Sequence, residues 1–436
     1  MMRKFAHGVL FALPLAAMAL PAAVQAQSAT DARPPMVYVV KAHDNLFELA
    51  AAYMVNPAAT GRVQTLNRIR EPRHLPVGMQ LRIPRELLRT RPIEMRIVTF
   101  SGPVTLGGGA APQRGQSLAE GSELQTGVNG FVTLSGSDGS RVTIPSNSRL
   151  RINRARQFLI NSASDIDIEV RQGRAEVRAA PQKPQGQFQL RTPVAVSAVR
   201  GTVFRVSYSG EGAPSTTEVV EGTVAVSAGN SEAAIKAGFG AAATASGLAQ
   251  EALLAAPAVE RPGKVQTDPE LSFTMKPVSG AQQYHAAVAR DASFLDLVAE
   301  DIADKPEAHF PSQDNGTYFV RSSAISPSGI EGQAETWSFR RQRVGLKASV
   351  EQTSLPNAFR INWLAEGSGT SLYRFQLFAE GNDAVPVIDE AGLTQPGLTL
   401  TALARGAYRS RVGVIQTAPD GSAEVWTPLQ KFNVSN

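Results

Sequence analysis

The chain has 436 residues, 43% of them hydrophobic, with 43 Lys+Arg against 38 Asp+Glu and a formal net charge of +5. That length accommodates three or four domains, and so small a cationic excess gives no strong case for a nucleic-acid partner. Cysteine is absent, which excludes disulfides, thiolate metal sites and cysteine nucleophiles.

At the N-terminus, Arg3 and Lys4 precede a mostly apolar run at 9–20 and a small-residue exit, PAAVQAQ, at 21–27. This is the pattern of a secretory signal peptide over residues 1–26, cut after Ala26. The run is too short for a membrane span, and no Cys follows to carry a lipid. The expected location is the periplasm or cell envelope.

Residues 36–85 read as a small strand–helix–helix–strand module. Tyr38-Val39-Val40 is a short strand. Asp44 stands as N-cap of a helix over 45–53, with Leu46, Leu49, Ala50 and Tyr53 on one face and Glu48 one residue beyond the capping-box position. Val63, Leu66 and Ile69 suggest a second helix, Pro76-Val77-Gly78 a turn, and Leu81-Arg82-Ile83-Pro84 a closing strand. The segments YVVKAHDNLFELA, TLNRI and LPVGMQLRIP resemble the lysin motif (LysM), a peptidoglycan- and chitin-binding module. Asp44, Leu46, Asn67, Gly78, Leu81, Ile83 and Pro84 match; His43 replaces the family's turn Gly and Asn45 its Thr. The resemblance implies a βααβ fold and peptidoglycan as partner, with Asp44, Asn45, Leu46, Asn67 and Gly78 as glycan-binding candidates. His43 has a neighbouring Asp but no nucleophile pattern, so it reads as a turn residue.

From 94 to 246, short strands recur about every ten residues with Asn-Gly and Asp-Gly turn signals between them. The stretch LRTPVAVSAVRGTVFRVSYS at 190–209 reads as two strands about a Gly corner. GRAEV at 173, GTVFRV at 201 and GTVAV at 222 echo one another, each opening on Gly, and suggest coiled or stacked β-turns, solenoid-like, more than a flat two-sheet sandwich. Arg200, Gly201, Thr202 and Gly222 are structural-corner candidates, with the Arg200–Thr202 corner held by a side-chain hydrogen bond. Arg149, Arg151, Arg154 and Arg156 form a basic cluster that either meets an acidic partner or pairs internally with Asp165, Asp167 and Glu169. GSELQTGVNGFVTL, DGSRVTIPSNSRLRI, RTPVAVSAVRGTVFRV and VEGTVAV resemble the FecR family domain. Well-known members relay an outer-membrane signal to a membrane-bound sigma-factor system through a transmembrane helix. This chain shows no such helix, so what the resemblance implies is an exported β domain for protein contact or envelope sensing.

Residues 247–268 read as a linker. Two segments then repeat with a period near 89 residues, 269–341 and 357–434. Tyr284 matches Tyr373, Gly316 matches Gly406, Tyr318 matches Tyr408 and Trp337 matches Trp426. Strand lengths and turns suggest two antiparallel β-sandwiches, similar to the fibronectin type III or broader immunoglobulin-like class. The fold class expected is therefore mainly β and multidomain.

No nucleophile–base pair, paired acid–base arrangement or His-based metal spacing appears among the five His. The expectation is a non-enzymatic envelope protein without cofactor or metal. It binds peptidoglycan and presents β domains to an envelope protein; the alternative is a sensor or regulator of envelope signalling through 94–246.

Overall fold

The computed structural model describes residues 33–419 and 421–435. The signal-peptide reading of 1–26 lies outside the described residues. Among the described residues no helix is long and apolar enough to cross a membrane.

The N-terminal module pairs β1 (Met36–Val39) antiparallel with β2 (Gln80–Ile83), Met36 opposite Ile83. Between them lie α1 (Leu46–Tyr53) and α2 (Thr60–Asn67). Leu46, Leu49 and Ala50 form the buried face of α1. The cap is Asn45, not Asp44: the Asn45 side chain accepts from the Glu48 amide at 2.9 Å. With the cap one residue later, Glu48 falls at the capping-box spacing. In α2 only Val63 is buried, and Leu66 faces solvent. Such a small module has little apolar area of its own. Its core is completed by Phe158 and Ala163 of the next domain. Arg85 lies over the Phe158 ring and donates to the carbonyls of Pro34 and Gln185, at 3.0 and 2.9 Å. The Gln185 side-chain amide pairs with both the N–H and the C=O of Val37, extending the β1 edge as a strand would.

The central domain consists of two sheets sharing one long strand, Ser164–Arg178. Up to Gln172 that strand pairs with Arg149–Phe158; from Gly173 onward it pairs with Val203–Tyr208. The chain likewise leaves the first sheet after Val196–Val199, enters the second as Val203–Tyr208 and Ser215–Glu221, and returns as Thr223–Ala228. The echoed glycines therefore sit where the backbone passes from one sheet to the other. Gly173, Gly201 and Gly222 have φ of 84, 89 and 88°, a left-handed region that side chains disfavour. This is not the solenoid-like stack that the echoes suggested. Successive coils of a solenoid pair in parallel, whereas here only Ser164–Arg178 with Gln187–Arg191 is parallel among these strands. A corner glycine has the same sequence signature in either architecture. At the Gly201 corner the expected side-chain hydrogen bond is missing. Thr202 Oγ1 is buried without a partner, and the Thr202 carbonyl accepts from the Ala179 amide at 2.9 Å.

Residues 247–268 are structured. Gly247–Ala252 is a strand paired with Phe239–Thr244, and the Leu254 carbonyl accepts from Gln333 N–H. The first sandwich sets Leu271–Thr274 and Glu307–Phe310 against a four-stranded sheet around Phe273, Val288, Val320 and Phe339. The second begins upstream of 357, with Val344–Gln352 paired to Phe359–Gly367. The repeat is visible in its corners. Tyr318 O–H donates to the Asp314 carbonyl at 3.1 Å and Tyr408 O–H to that of Ala404 at 3.0 Å. Both bonds reach four residues back, as in the tyrosine corner of β-sandwiches.

Candidate functional site: exposed loops and a buried ionic interface

Two loops, 40–45 and 68–79, meet at one end of the N-terminal module. Leu46 N–H donates to the Pro72 carbonyl at 2.9 Å, Val40 N–H to that of Met79 at 2.9 Å, and Gly78 N–H to that of Val40 at 2.8 Å. Turns at His43 and Gly78, with φ of 71 and 83°, shape their tips. His43 thus holds a left-handed conformation, and a polar side chain of this kind tolerates it less well than Gly. Asp44 is occupied internally: its carboxylate accepts from Tyr38 O–H at 2.8 Å and Lys41 N–H at 2.7 Å. Burial, with Asp44 beside it, pushes the Tyr38 hydroxyl up to about 12. Asn67 clamps α2 to β2, donating to the Val63 and Arg82 carbonyls and accepting from Arg82 N–H. Leu46 is 1% exposed and out of reach of any ligand. Asp44, Asn45 and Asn67 therefore build the loops, and Gly78 turns one of them. Exposed side chains on the loops are Lys41, Ala42, His43, Arg68, Arg70, Glu71, Arg73, His74, Pro76 and Val77, a mostly basic, partly apolar surface.

Residues 38–84 match the family model described as LysM domain, and residues 122–225 match that described as FecR protein. The chain contains a LysM domain and a FecR-like domain. Both are non-catalytic modules. Among the described residues no group of three or more His, Asp or Glu is placed to hold a metal. No curated protein matches the chain. Among solved structures, the chain is similar to a Parabacteroides distasonis protein described as an anti-sigma factor, at 17% identity and TM-score 0.26, over 30% of this chain and 59% of that one. It is also similar to a two-domain fibronectin type III segment of chicken tenascin, at 14% identity and TM-score 0.20, over 41% of this chain and 99% of that one. The chain spans only 59% of the length of the anti-sigma factor structure.

The basic cluster of the FecR-like domain is largely internal. Strand pairing sets Arg154 opposite Asp167 and Arg156 opposite Asp165, after a bulge between Ile152 and Arg154 that keeps the arginines on one face. Asp165 meets Arg33, Arg154 and Arg156 at 2.7, 3.3 and 3.2 Å; Asp167 meets Arg154 and Arg191 at 2.5 and 2.8 Å. Burial would raise Asp165, but Arg33, Arg154 and Arg156 outweigh it and hold the carboxyl below the usual carboxylate range. Arg154 and Arg156 are therefore not a surface open to an acidic partner. Arg151 pairs with Glu123 rather than Glu169, and Arg149 donates to Gln125.

A second ionic cluster joins the FecR-like domain to the first sandwich. Arg174, Glu176, Arg205 and Glu218 face His285, Glu300, Arg321 and Glu331. Arg174 donates to Glu300 at 2.5 Å. Arg321 forks onto both Glu176 oxygens at 2.9 and 2.7 Å, the bidentate geometry that suits guanidinium. Arg205 donates to the Glu331 carboxylate at 3.1 Å and to the Glu331 and Gly332 carbonyls. His285, 6% exposed, lies 3.2 Å from Glu300 and 2.9 Å from Glu331. Three amides also cross the contact: Ser146 N–H donates to Glu300 at 3.0 Å, Glu331 N–H to Glu218 at 3.3 Å and Glu300 N–H to the Asn129 side-chain oxygen at 3.4 Å.

These sites differ in protonation because their neighbours differ. Burial pushes Glu218 up to about 7 against the pull of Arg205. Burial acts on Glu300 too, but Arg174 and His285 overcome it and hold the carboxyl at about 2. Glu331 is likewise held well below the usual range by Arg205 and His285 despite burial, and Glu176 is lowered by Arg321. His285 is opposed by burial and Arg174, yet Glu331 and Glu300 raise it. Sequence reasoning found none of this cluster. Arg205 stands on the polar face of its strand, and nothing in the local pattern says that a domain 126 residues away in sequence covers that face.

Proposed function

We propose that the chain is a non-enzymatic envelope regulator, fixed to peptidoglycan by its LysM domain and engaged in signalling through protein contact by its FecR-like domain. The observation that carries this reading is the match of 122–225 to the FecR model in the same chain as a LysM match at 38–84. The join between the modules supports it. Arg85, Gln185 and Phe158 fix the LysM domain onto the β domain, so a wall-bound LysM domain would also fix the orientation of its neighbour. The wall surface in this reading is the loop pair 40–45 and 68–79, whose cations suit the carboxylates of wall peptides. A pure scaffold, without signalling, is the second reading, and the FecR match favours regulation over it.

Co-sedimentation of the full chain with purified peptidoglycan tests the attachment. The wild type is expected in the pellet. A variant carrying Ala42→Glu and Val77→Glu, both exposed and away from the core, is expected in the supernatant. A wild-type chain that stays in the supernatant overturns the attachment.

A further inference from the structure

We propose that the contact between the FecR-like domain and the first sandwich is a proton-operated latch, closed while Glu218 and His285 hold their protons and loosened when they release them. The inference stands on this interface and is independent of wall binding.

The geometry isolates these two groups. Three guanidiniums, Arg174, Arg205 and Arg321, face three carboxylates, Glu176, Glu300 and Glu331, each in a direct cross-domain ion pair. Those six charges cancel. Glu218 and His285 are left, on opposite sides of the contact and both linked to Glu331, Glu218 through its amide and His285 through its carboxylate. With one proton between them the cluster is neutral; with two, the added positive charge sits on His285 between the Glu300 and Glu331 carboxylates, at 3.2 and 2.9 Å. With none, an uncompensated negative charge is buried, and separation of the domains relieves it by letting water in. A cleft of about 690 Å³ lined by Glu176, Arg205 and Arg321 borders a small cavity of about 60 Å³ lined by Glu218, His285, Glu300 and Glu331. The apolar part of the contact is two small groups, Phe131 against Ala287, Ala289, Phe294 and Leu297, and buried Ile330 against Gly240. Much of the attachment therefore depends on charge.

The sign follows from the direction of each shift. Glu218 and His285 both bind protons more tightly in the docked state than their ordinary values. Their contribution to docking is complete below those ordinary values and is lost as pH rises through the docked ones, about 7 for Glu218. Glu176, Glu300 and Glu331 act oppositely, and their contribution is lost only in strong acid, near 2 for Glu300. The contact is tightest in mild acid and loosens above neutrality, uncovering Arg174, Glu176, Arg205 and Glu218.

Hydrogen exchange on the full chain tests this at the Ser146 and Glu331 amides, whose hydrogen bonds cross the contact. After correction for intrinsic exchange, Glu218 alone gives a fall in their protection of about thirtyfold between pH 5.5 and 8.5. Amides of Phe359–Gly367, in the second sandwich, hold steady. Glu218→Gln, which keeps the acceptor for Glu331 N–H, flattens the profile to the part carried by His285. Equal protection at both pH values, protection that rises with pH, or a full slope retained in Glu218→Gln overturns the latch. The wild-type series is decisive even if that variant folds poorly.

Discussion

Gly173 gives a quantitative test of the sheet-switching account, because Gly238 supplies an internal control. The two share a left-handed backbone, φ of 84 and 82°. Gly238 also stands where the chain passes between the sheets, from Ser231–Lys236 to Phe239–Thr244. They differ in space. A Cβ on Gly173 would lie 2.5 Å from Ser148 Cα and 2.6 Å from the Asn147 carbonyl oxygen, whereas nothing lies within 4 Å of one on Gly238. Gly238→Ala therefore carries only the left-handed penalty, about 1–2 kcal/mol. Gly173→Ala adds displacement of a neighbouring backbone, about 1–3 kcal/mol more, for a total of about 2–5 kcal/mol. All three Trp, at 337, 363 and 426, lie in the sandwiches, so their fluorescence does not report on this domain. Urea unfolding should instead be followed by hydrogen exchange of Val203–Tyr208, which pairs with the strand that switches sheets. Equal costs for the two variants would refute the account of the corner.

Two further outcomes follow from buried polar contacts. Asp165→Asn leaves Arg33, Arg154 and Arg156 without their shared anion and should destabilise the FecR-like domain by about 3 kcal/mol, the low end for a broken buried pair since the arginines remain partly exposed. Because the Asp165 carboxyl is held low, the wild type should lose this stability as pH falls below the ordinary Asp value through the lowered one, and Asp165→Asn should be flat there; acid titration followed by circular dichroism reads both. Tyr318→Phe and Tyr408→Phe each remove one corner hydrogen bond and should cost about 1 kcal/mol, seen by Trp337 fluorescence for the first and Trp363 fluorescence for the second.

Much of the fold is legible in the sequence because its signals are local. Alternation in Met95-Arg96-Ile97 puts Met95 and Ile97 inside and Arg96 outside. The 3.6-residue spacing of Leu46, Leu49 and Ala50 gives the buried face of α1. Parity groups Asp165 with Asp167 and Arg154 with Arg156, but it sets Arg149 and Arg151 on the other face; the bulge between Ile152 and Arg154, which parity does not show, brings all four to one side. Leu66 shows the limit: helical spacing names a candidate face, but α2 is too short and too marginal to bury it. The ionic interface lies beyond that limit. Arg174, Glu176, Arg205 and Glu218 look like ordinary solvated strand residues, and His285 like a lone imidazole. Only domain docking, which no short window encodes, makes them one cluster. Thr202 is a related case, since its side chain looked able to bond at the corner and instead packs against Gly222.

The regulatory claim is tested most directly by transcript profiling of cells with and without this chain. The account predicts that a limited set of genes sharing one promoter class changes several-fold, and that the wild-type chain supplied in trans restores it. No change in transcripts, or only a general response to wall damage, would contradict the claim and leave the scaffold reading in its place.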